Sequence, residues 1–267
     1  MKSIPGLSAC IITLNEEGNL GPCLESLDFA EEILVIDSGS VDSTEEIARS
    51  HRARWFHRDF DNYVAQKNFA IEKATGPWIL FLDADERVSA DLRQEIQHLF
   101  DQGSPIPDGY AIPRRTFYLG RWIRFGGWYP DYTIRLFRKD RGRFYGKTFH
   151  EKVRVTGPQS RLRSDLLHYS YRNIQEHIVM INRYSDLFAS ERIRAGKRNG
   201  VLFSLLEAII KFLTMYVWKG GFLDGRAGLV IAVLGAYYNF LKYIKVWEKR
   251  STVAEIEYPR KKEHANS

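Results

Sequence analysis

The stretch Trp78-Ile79-Leu80-Phe81-Leu82-Asp83-Ala84-Asp85-Glu86 constrains this chain more than any other. Five consecutive apolar residues, all aromatic or branched, have the pattern of a strand buried on both faces. Thr75-Gly76-Pro77 breaks the chain just ahead of it. The strand then runs straight into three carboxylates. In extended backbone, residues two apart point to the same side, so Asp83 and Asp85 are expected to face one ligand together. Two carboxylates that close repel each other unless a cation lies between them. Ligands of open α/β sheets bind at the C-terminal ends of strands, and there a divalent ion is the natural candidate. Hard oxygen donors suit Mg²⁺ or Mn²⁺, which also bind substrate phosphates. A solvated acidic turn fits the same residues, so the rest of the chain has to decide.

Ser8 to Leu14 reads as a buried strand ending in Asn15-Glu16-Glu17-Gly18-Asn19, and a helix through Leu20, Leu24 and Leu27 follows. Glu32 to Asp37 is a second strand, ending in Asp37-Ser38-Gly39-Ser40-Val41-Asp42-Ser43-Thr44. The next helix begins there, with Asp42 or Ser43 as N-cap. Trp55-Phe56 suggests a short third strand, and Tyr63 to Ile71 a helix. Strands alternating with helices imply crossover connections and a largely parallel sheet, an α/β class. Polar clusters at Asn15–Glu16, Asp37–Ser40 and Asp83–Asp85 then fall along one sheet edge and converge on one cleft. Cys10 and Cys23, in apolar surroundings, read as reduced core residues of a cytoplasmic protein. The apolar run before Asn15 is too short for a signal peptide.

Thr13-Leu14-Asn15-Glu16-Glu17, Val35-Ile36-Asp37-Ser38-Gly39-Ser40-x-Asp42-x-Thr44, Gln66-Lys67-Asn68 and Phe81-Leu82-Asp83-Ala84-Asp85-Glu86 together resemble the ordered signature of family 2 glycosyltransferases. Within that family the chain is most similar to lipopolysaccharide core β-1,4-glucosyltransferases. The resemblance implies the GT-A fold, a Rossmann-like and mostly parallel sheet, and a nucleotide-sugar donor such as UDP-glucose. It also implies Mg²⁺ or Mn²⁺ and a saccharide acceptor. By it, Thr13, Asn15 and Glu16 would lie by the base and ribose, and Asp37 would accept from a base N–H beside Ser38, Gly39 and Ser40. Gln66, Lys67 and Asn68 would line the donor pocket. Asp83, Ala84 and Asp85 would form the Asp-x-Asp segment at ribose and metal–diphosphate. A bound divalent ion would stabilise the charge that develops on the leaving diphosphate.

Farther along, Asp91 to Phe100 forms an amphipathic helix, and Gly109 to Pro113 and Thr133 to Arg138 read as strands, with Arg135 expected in the cleft. An inverting transfer needs a base opposite the leaving group. Glu151 and Asp131 are the candidates; the resemblance implies Glu151, since family 2 enzymes place their base on the acceptor side well after the Asp-x-Asp pair, and the neighbouring His150 fits a polar site. A strand-end His-Glu in solvent fits as well. The resemblance implies His168 as a candidate third metal ligand beside Asp83 and Asp85, since GT-A enzymes often supply one from late in the domain, although a lone His is more often structural. Trp122, Phe125, Trp128 and Tyr129 among Arg121 and Arg124 suit sugar faces, phosphates or a packed core. No nucleic-acid-binding module is recognisable, and nucleic acid is not an expected partner.

Residues 1–172 are thus expected to form the catalytic domain, 173–250 a helical appendage, and 251–267 a polar, disordered tail. Neither Val201–Trp218 nor Ala227–Leu241 offers ~20 uninterrupted apolar residues. Flanking Lys, Arg, Trp and Tyr favour peripheral attachment to the cytoplasmic leaflet, where a lipid-linked or lipopolysaccharide-type acceptor would sit. A helical hairpin packed on the protein itself is the alternative. The formal net charge of +6 is compatible with anionic substrates or a membrane surface. Three rival functions are a polyprenyl-phosphate glycosyltransferase, a nucleotidyltransferase and a non-catalytic scaffold. The first often carries true spans, and the second needs a basic glycine-rich loop where Asn15-Glu16-Glu17 is acidic.

Overall fold

The computed structural model describes residues 3–103, 107–146 and 151–251. Contacts divide the chain into two compact units, Met1–Arg124 with Trp128–Ser170 and Phe125–Gly127 with Tyr171–Ser267.

The first unit is built on one sheet. Strands β1 (Ile4–Thr13), β2 (Ala30–Asp37), β3 (Arg54–His57) and β4 (Trp78–Asp83) alternate with helices α1 (Leu20–Glu25), α2 (Thr44–Ser50) and α3 (Tyr63–Lys73). The four strands pair in parallel in the order β3-β2-β1-β4. The chain leaves β1 to one side for β2 and returns on the other side for β4. That is the switch point at which such sheets open a crevice.

The apolar run of β4 follows from burial on both faces. Trp78, Leu80 and Leu82 pack with Leu7, Ala9 and Ile11 of β1, and with α1 and helix α4 (Ala90–Asp101). Ile79 and Phe81 turn the other way, to Cys10, to Ala70 and Ile71 of α3, and to Phe144. Alternate residues thus serve two cores, and no polar residue could stand in the run. Both cysteines are buried and free, and burial pushes both thiols well up.

Beyond β4 the sheet becomes mixed, through β5 (Glu86–Val88), β6 (Gly109–Tyr118), β7 (Arg121–Trp122), β8 (Asp131–Arg138), β11 (Gln159–Arg161) and β12 (Leu166–His168). β8 lies antiparallel between β4 and β6, β12 runs parallel to β6, and β5 closes the order β4-β8-β6-β12-β5. A separate hairpin, β9 (Gly142–Tyr145) and β10 (Lys152–Val155), completes the unit. Gly142 is required where that hairpin starts, because a Cβ there would lie 2.1 Å from the Phe137 ring. Trp122 and Trp128 are half-buried against other rings, Phe117 and Tyr169 in one case and Tyr118 in the other, while Phe125 is exposed.

The second unit contains α5 (Ile174–Arg194), α6 (Val201–Leu213) continued by a π turn at Thr214–Trp218, a 3₁₀ turn at Gly221–Asp224, and α7 (Gly225–Ser251). α7 packs against both α5 and α6. Gly235 lets α7 approach closely, since a Cβ would meet the Met215 sulfur at 2.5 Å. Neither run is uninterrupted, as expected, but both lie in longer helices than an apolar count alone suggests. Val201–Trp218 and Gly221–Ser251 are continuous helical stretches of 18 and 31 residues, long and apolar enough to cross a membrane by length and composition. Tyr237, Asn239 and Lys242 interrupt the apolar run without ending the helix. The expected tail after Ser251 and His150 lie outside the described residues.

Candidate active site

Register brings the first polar clusters level. Thr13 stands opposite Asp37, and Ile12 opposite Asp83, so the ends of β2, β1 and β4 share one edge. The cluster after β2 is organised by Asp37, which is 2% exposed. Its carboxylate accepts from Thr13 Oγ1 at 3.1 Å, Gly39 N at 2.7 Å, Ser40 N at 2.8 Å and the Ser40 hydroxyl. Asp37 was expected to receive a base N–H. In this structure its carboxylate oxygens are engaged by Thr13 and by its own loop, which they hold in place. Asn15 and Ser40 bind reciprocally, Asn15 N to Ser40 Oγ at 2.8 Å and Val41 N to Asn15 Oδ1 at 2.9 Å. Glu16 N donates to Thr44 Oγ1 at 2.9 Å. Of the two N-cap candidates Ser43 takes the position, without a side-chain cap bond, and Asp42 just before it accepts from Thr44 N at 3.1 Å.

The three consecutive residues of α3 go to three places. Gln66 is buried against Ser38 Oγ at 3.0 Å and the Arg58 guanidinium at 2.7 Å. Lys67 projects its ammonium between Asp83 Oδ1 at 3.0 Å and Glu151 Oε1 at 3.2 Å, over the rings of Phe81 and Phe144. Asn68 was expected in the donor pocket. It clips the β9–β10 hairpin instead, donating from Nδ2 to Phe144 O and accepting from Phe144 N, both at 3.0 Å.

The Asp-x-Asp expectation is corrected in geometry. β4 ends at Asp83 and the chain turns through Ala84 and Asp85, so the two-residue alternation of a strand does not extend to Asp85. Asp83 is held by Lys67 and by Arg135 Nη2 at 2.8 Å. Burial works to raise its carboxyl, but the charges of Lys67 and Arg135 outweigh that and hold it well below the usual carboxylate range. Ala84 is buried and offers no side chain to a ligand. Asp85 turns to His168, whose Nε2 lies 3.2 Å from Asp85 Oδ2, while Thr116 Oγ1 lies 3.3 Å from His168 Nδ1.

Among the described residues no group of three or more acidic, His or Cys side chains is already gathered as a metal site, and Asp83 is paired with Lys67 and Arg135 while Asp85 is paired with His168. The Asp85–His168 pair does fit a metal. One carboxylate and one imidazole, the latter steadied on its other nitrogen, are a mixed O,N donor pair that suits Mn²⁺ better than Mg²⁺ and leaves positions for substrate oxygens.

Two residues escaped the sequence reading, Glu86 and Arg114. Glu86 is fully buried and accepts from Arg135 at 2.5 Å and from Arg114 at 3.3 Å. Its place in the carboxylate run after β4 was the available signal. Burial lowers the Arg135 guanidinium, but Glu86 and Asp83 more than restore it, so it stays charged. Arg114 also grips Asp131 through Nε at 3.0 Å and Nη2 at 2.6 Å. Asp131, the second candidate base, is thereby committed to a guanidinium.

A cavity of about 640 Å³ opens on this network. Lys67, Asp83, Arg114, Asp131, Arg135 and Glu151 all stand on its wall, and Thr13, Asn15, Glu16, Asp37 and Ser38 to Ser40 do not. Asp83 thus lies on the strand edge shared with the β1 and β2 clusters and on the cavity wall as well.

Comparison with known proteins shows the family. The model of glycosyl transferase family 2 matches residues 8–156. The lipopolysaccharide core biosynthesis glycosyltransferase LpsC of Rhizobium meliloti is 33% identical over 93% of this chain and 94% of its own. The uncharacterized glycosyltransferase RT0209 of Rickettsia typhi is 28% identical over 94% of this chain and 91% of its own. A solved structure of S. aureus TarS 1-349 with UDP-GlcNAc aligns over 97% of this chain and 93% of that chain, with a TM-score of 0.48 and 15% identity. The chain belongs to glycosyl transferase family 2, and its α/β sheet is of the GT-A class.

Proposed function

We propose that this protein is an inverting, metal-dependent hexosyltransferase. It would move glucose from UDP-glucose to a membrane-associated saccharide, such as the inner core of a lipopolysaccharide, on the cytoplasmic face of the inner membrane. The observation that carries the reading is the cavity wall, where Glu151 and Asp83 are joined through the ammonium of Lys67. The name of the Rhizobium relative supports the acceptor class.

In this reading the nucleotide lies at the ends of β1 and β2, near Thr13, Asn15, Glu16 and the Asp37 loop, and the acceptor enters the cavity. An acceptor hydroxyl gives its proton to the Glu151 carboxylate as its oxygen attacks the anomeric carbon. The bond from that carbon to the diphosphate oxygen breaks, and its electron pair leaves with the nucleotide. Asp85 and His168 would hold the divalent ion, which as a Lewis acid supplies charge stabilisation to the leaving diphosphate. Lys67 and Arg135 fix Asp83, and Asn68 fixes the hairpin that leads to Glu151.

Thermal shift with UDP-, GDP-, CMP- and dTDP-sugars, with and without Mn²⁺, tests the reading. A ligand at a hundredfold excess over its Kd stabilises the fold by about 2.7 kcal/mol. A Mn²⁺-dependent shift with UDP-glucose that is lost in Asp85→Ala is expected. No shift with any nucleotide sugar, from folded protein, would favour the scaffold.

A further inference from the structure

Charge is divided unevenly along the chain. Residues 171–251 contain thirteen Lys and Arg against six Asp and Glu, whereas residues 1–170 contain twenty-three against twenty-four. The entire positive excess therefore belongs to the helical unit.

That unit also carries an inverted helix. Leu202, Leu206, Ile209, Leu213 and Val217 recur at four- and three-residue steps, which places them on one stripe. All five are exposed, Leu202 to 70%, and Trp218 at the end of the stripe is 79% exposed. The polar residues of α6 go to the inside. Ser204 is buried, and Glu207 receives the side-chain amide of Asn239 on α7. A water-soluble helix hides its apolar stripe and shows its polar one, and α6 does the reverse. A contiguous exposed apolar stripe marks a docking surface.

Three observations identify the occupant as an anionic bilayer, with α6 lying along it. The charge of the unit complements acidic headgroups. Lys197 and Arg198 precede the stripe, and Trp218-Lys219 ends it, as at a lipid–water boundary. α5, on another side of α7, is ionic where the two meet: Asp186 pairs with Lys245 at 3.0 Å and Lys249 at 3.4 Å, and Lys245 also binds Asn182. A transverse α7 would carry these charges toward hydrocarbon, whereas an in-plane hairpin leaves them in water.

We infer that the outer stripe of α6 is a monotopic docking surface that inserts into the interface of an anionic phospholipid membrane without crossing it. The inference rests on the membrane-associated acceptor proposed above, and it names the surface that would meet the membrane.

The test is flotation of the full chain with vesicles of phosphatidylethanolamine and phosphatidylglycerol, and with vesicles of phosphatidylcholine alone. Binding is expected to the first, to weaken with added salt and to be released by alkaline carbonate. The double variant Leu206→Glu/Ile209→Glu should lower the bound fraction by at least about tenfold, with an unchanged melting temperature and undiminished transfer to a soluble acceptor fragment. Absence of flotation, equal flotation of the double variant, or retention through carbonate extraction would each overturn the proposal. So would a wild-type dimer that the double variant splits and that does not float, because the stripe would then be covered by a second copy. Flotation failing while transfer persists removes the docking surface and leaves the transferase. Flotation persisting without transfer does the opposite.

Discussion

Lys67 is the cation on which the candidate site turns, and replacing it by Met tests that role. Met keeps the apolar stem beside Phe81 and Phe144 and removes the charge between Asp83 and Glu151. At 3.2 Å and an effective dielectric near 20, the Lys67–Glu151 attraction is about 5 kcal/mol before desolvation is subtracted. Residues sharing one such network commonly retain a coupling of about 1–3 kcal/mol. Lys67→Met alone leaves Asp83 with Arg135 and Glu151 without its cation, and should cost about 3–5 kcal/mol. Urea unfolding at neutral pH of wild type, Lys67→Met, Glu151→Gln and the double variant gives the coupling directly. The acid limb carries a second signature. A carboxyl with a depressed native pKa contributes stability that is fully present above its unfolded value, about 4, and is lost as pH falls below it. Losing Lys67 lessens the depression of Asp83, so the variant should show a flatter acid limb. Additivity within about 0.3 kcal/mol, together with an unchanged acid limb, would refute the reasoning.

Other predictions follow from the same geometry. Asn68→Ala leaves the Phe144 carbonyl and N–H without their partners and should cost about 2–3 kcal/mol in unfolding experiments; it should lower kcat more than it raises the donor KM. Asp83→Asn should lower stability while preserving Mn²⁺ affinity, and Asp85→Ala should do the reverse, as read by Mn²⁺ titration and thermal melting. His177 is buried beside Tyr171, and burial lowers its pKa to about 4. Its unfolded form takes a proton first, so stability should fall as pH drops from about 6.5 to 4, and His177→Phe should remove that slope from the melting temperature.

The sequence made the sheet edge legible because β1, β2 and β4 are buried on both faces and end abruptly in polar residues. Alternation and breaks suffice to find such strands, and parallel register then sets Thr13, Asp37 and Asp83 nearly level. What could not be read is which partner each side chain takes. Asp83 and Asp85 share a face only if the strand continues, and it stops at Asp83. Asn68 sits among donor-pocket candidates in sequence, yet its amide matches a backbone pair 76 residues away. The short strands β5, β7 and β11 have two or three residues each and owe their form to pairing with β6 and β12. Glu86 was visible as a carboxylate, but its burial depends on Arg114 and Arg135, which arrive from β6 and β8. In the second unit Val201–Trp218 keeps its expected bounds, whereas the run read as Ala227–Leu241 belongs to a helix that continues from Gly225 to Ser251, because single polar residues interrupt an apolar run without breaking a helix.

The central claim is that Glu151 removes the acceptor proton in an inverting transfer. The most direct measurement is the anomeric configuration of the product formed from UDP-glucose and a core saccharide acceptor, by proton NMR, with turnover measured for wild type and Glu151→Gln. The account predicts a β-linked product and a loss of about a thousandfold in kcat with little change in donor KM. An α-linked product, or a Glu151→Gln enzyme that turns over at the wild-type rate, would contradict it.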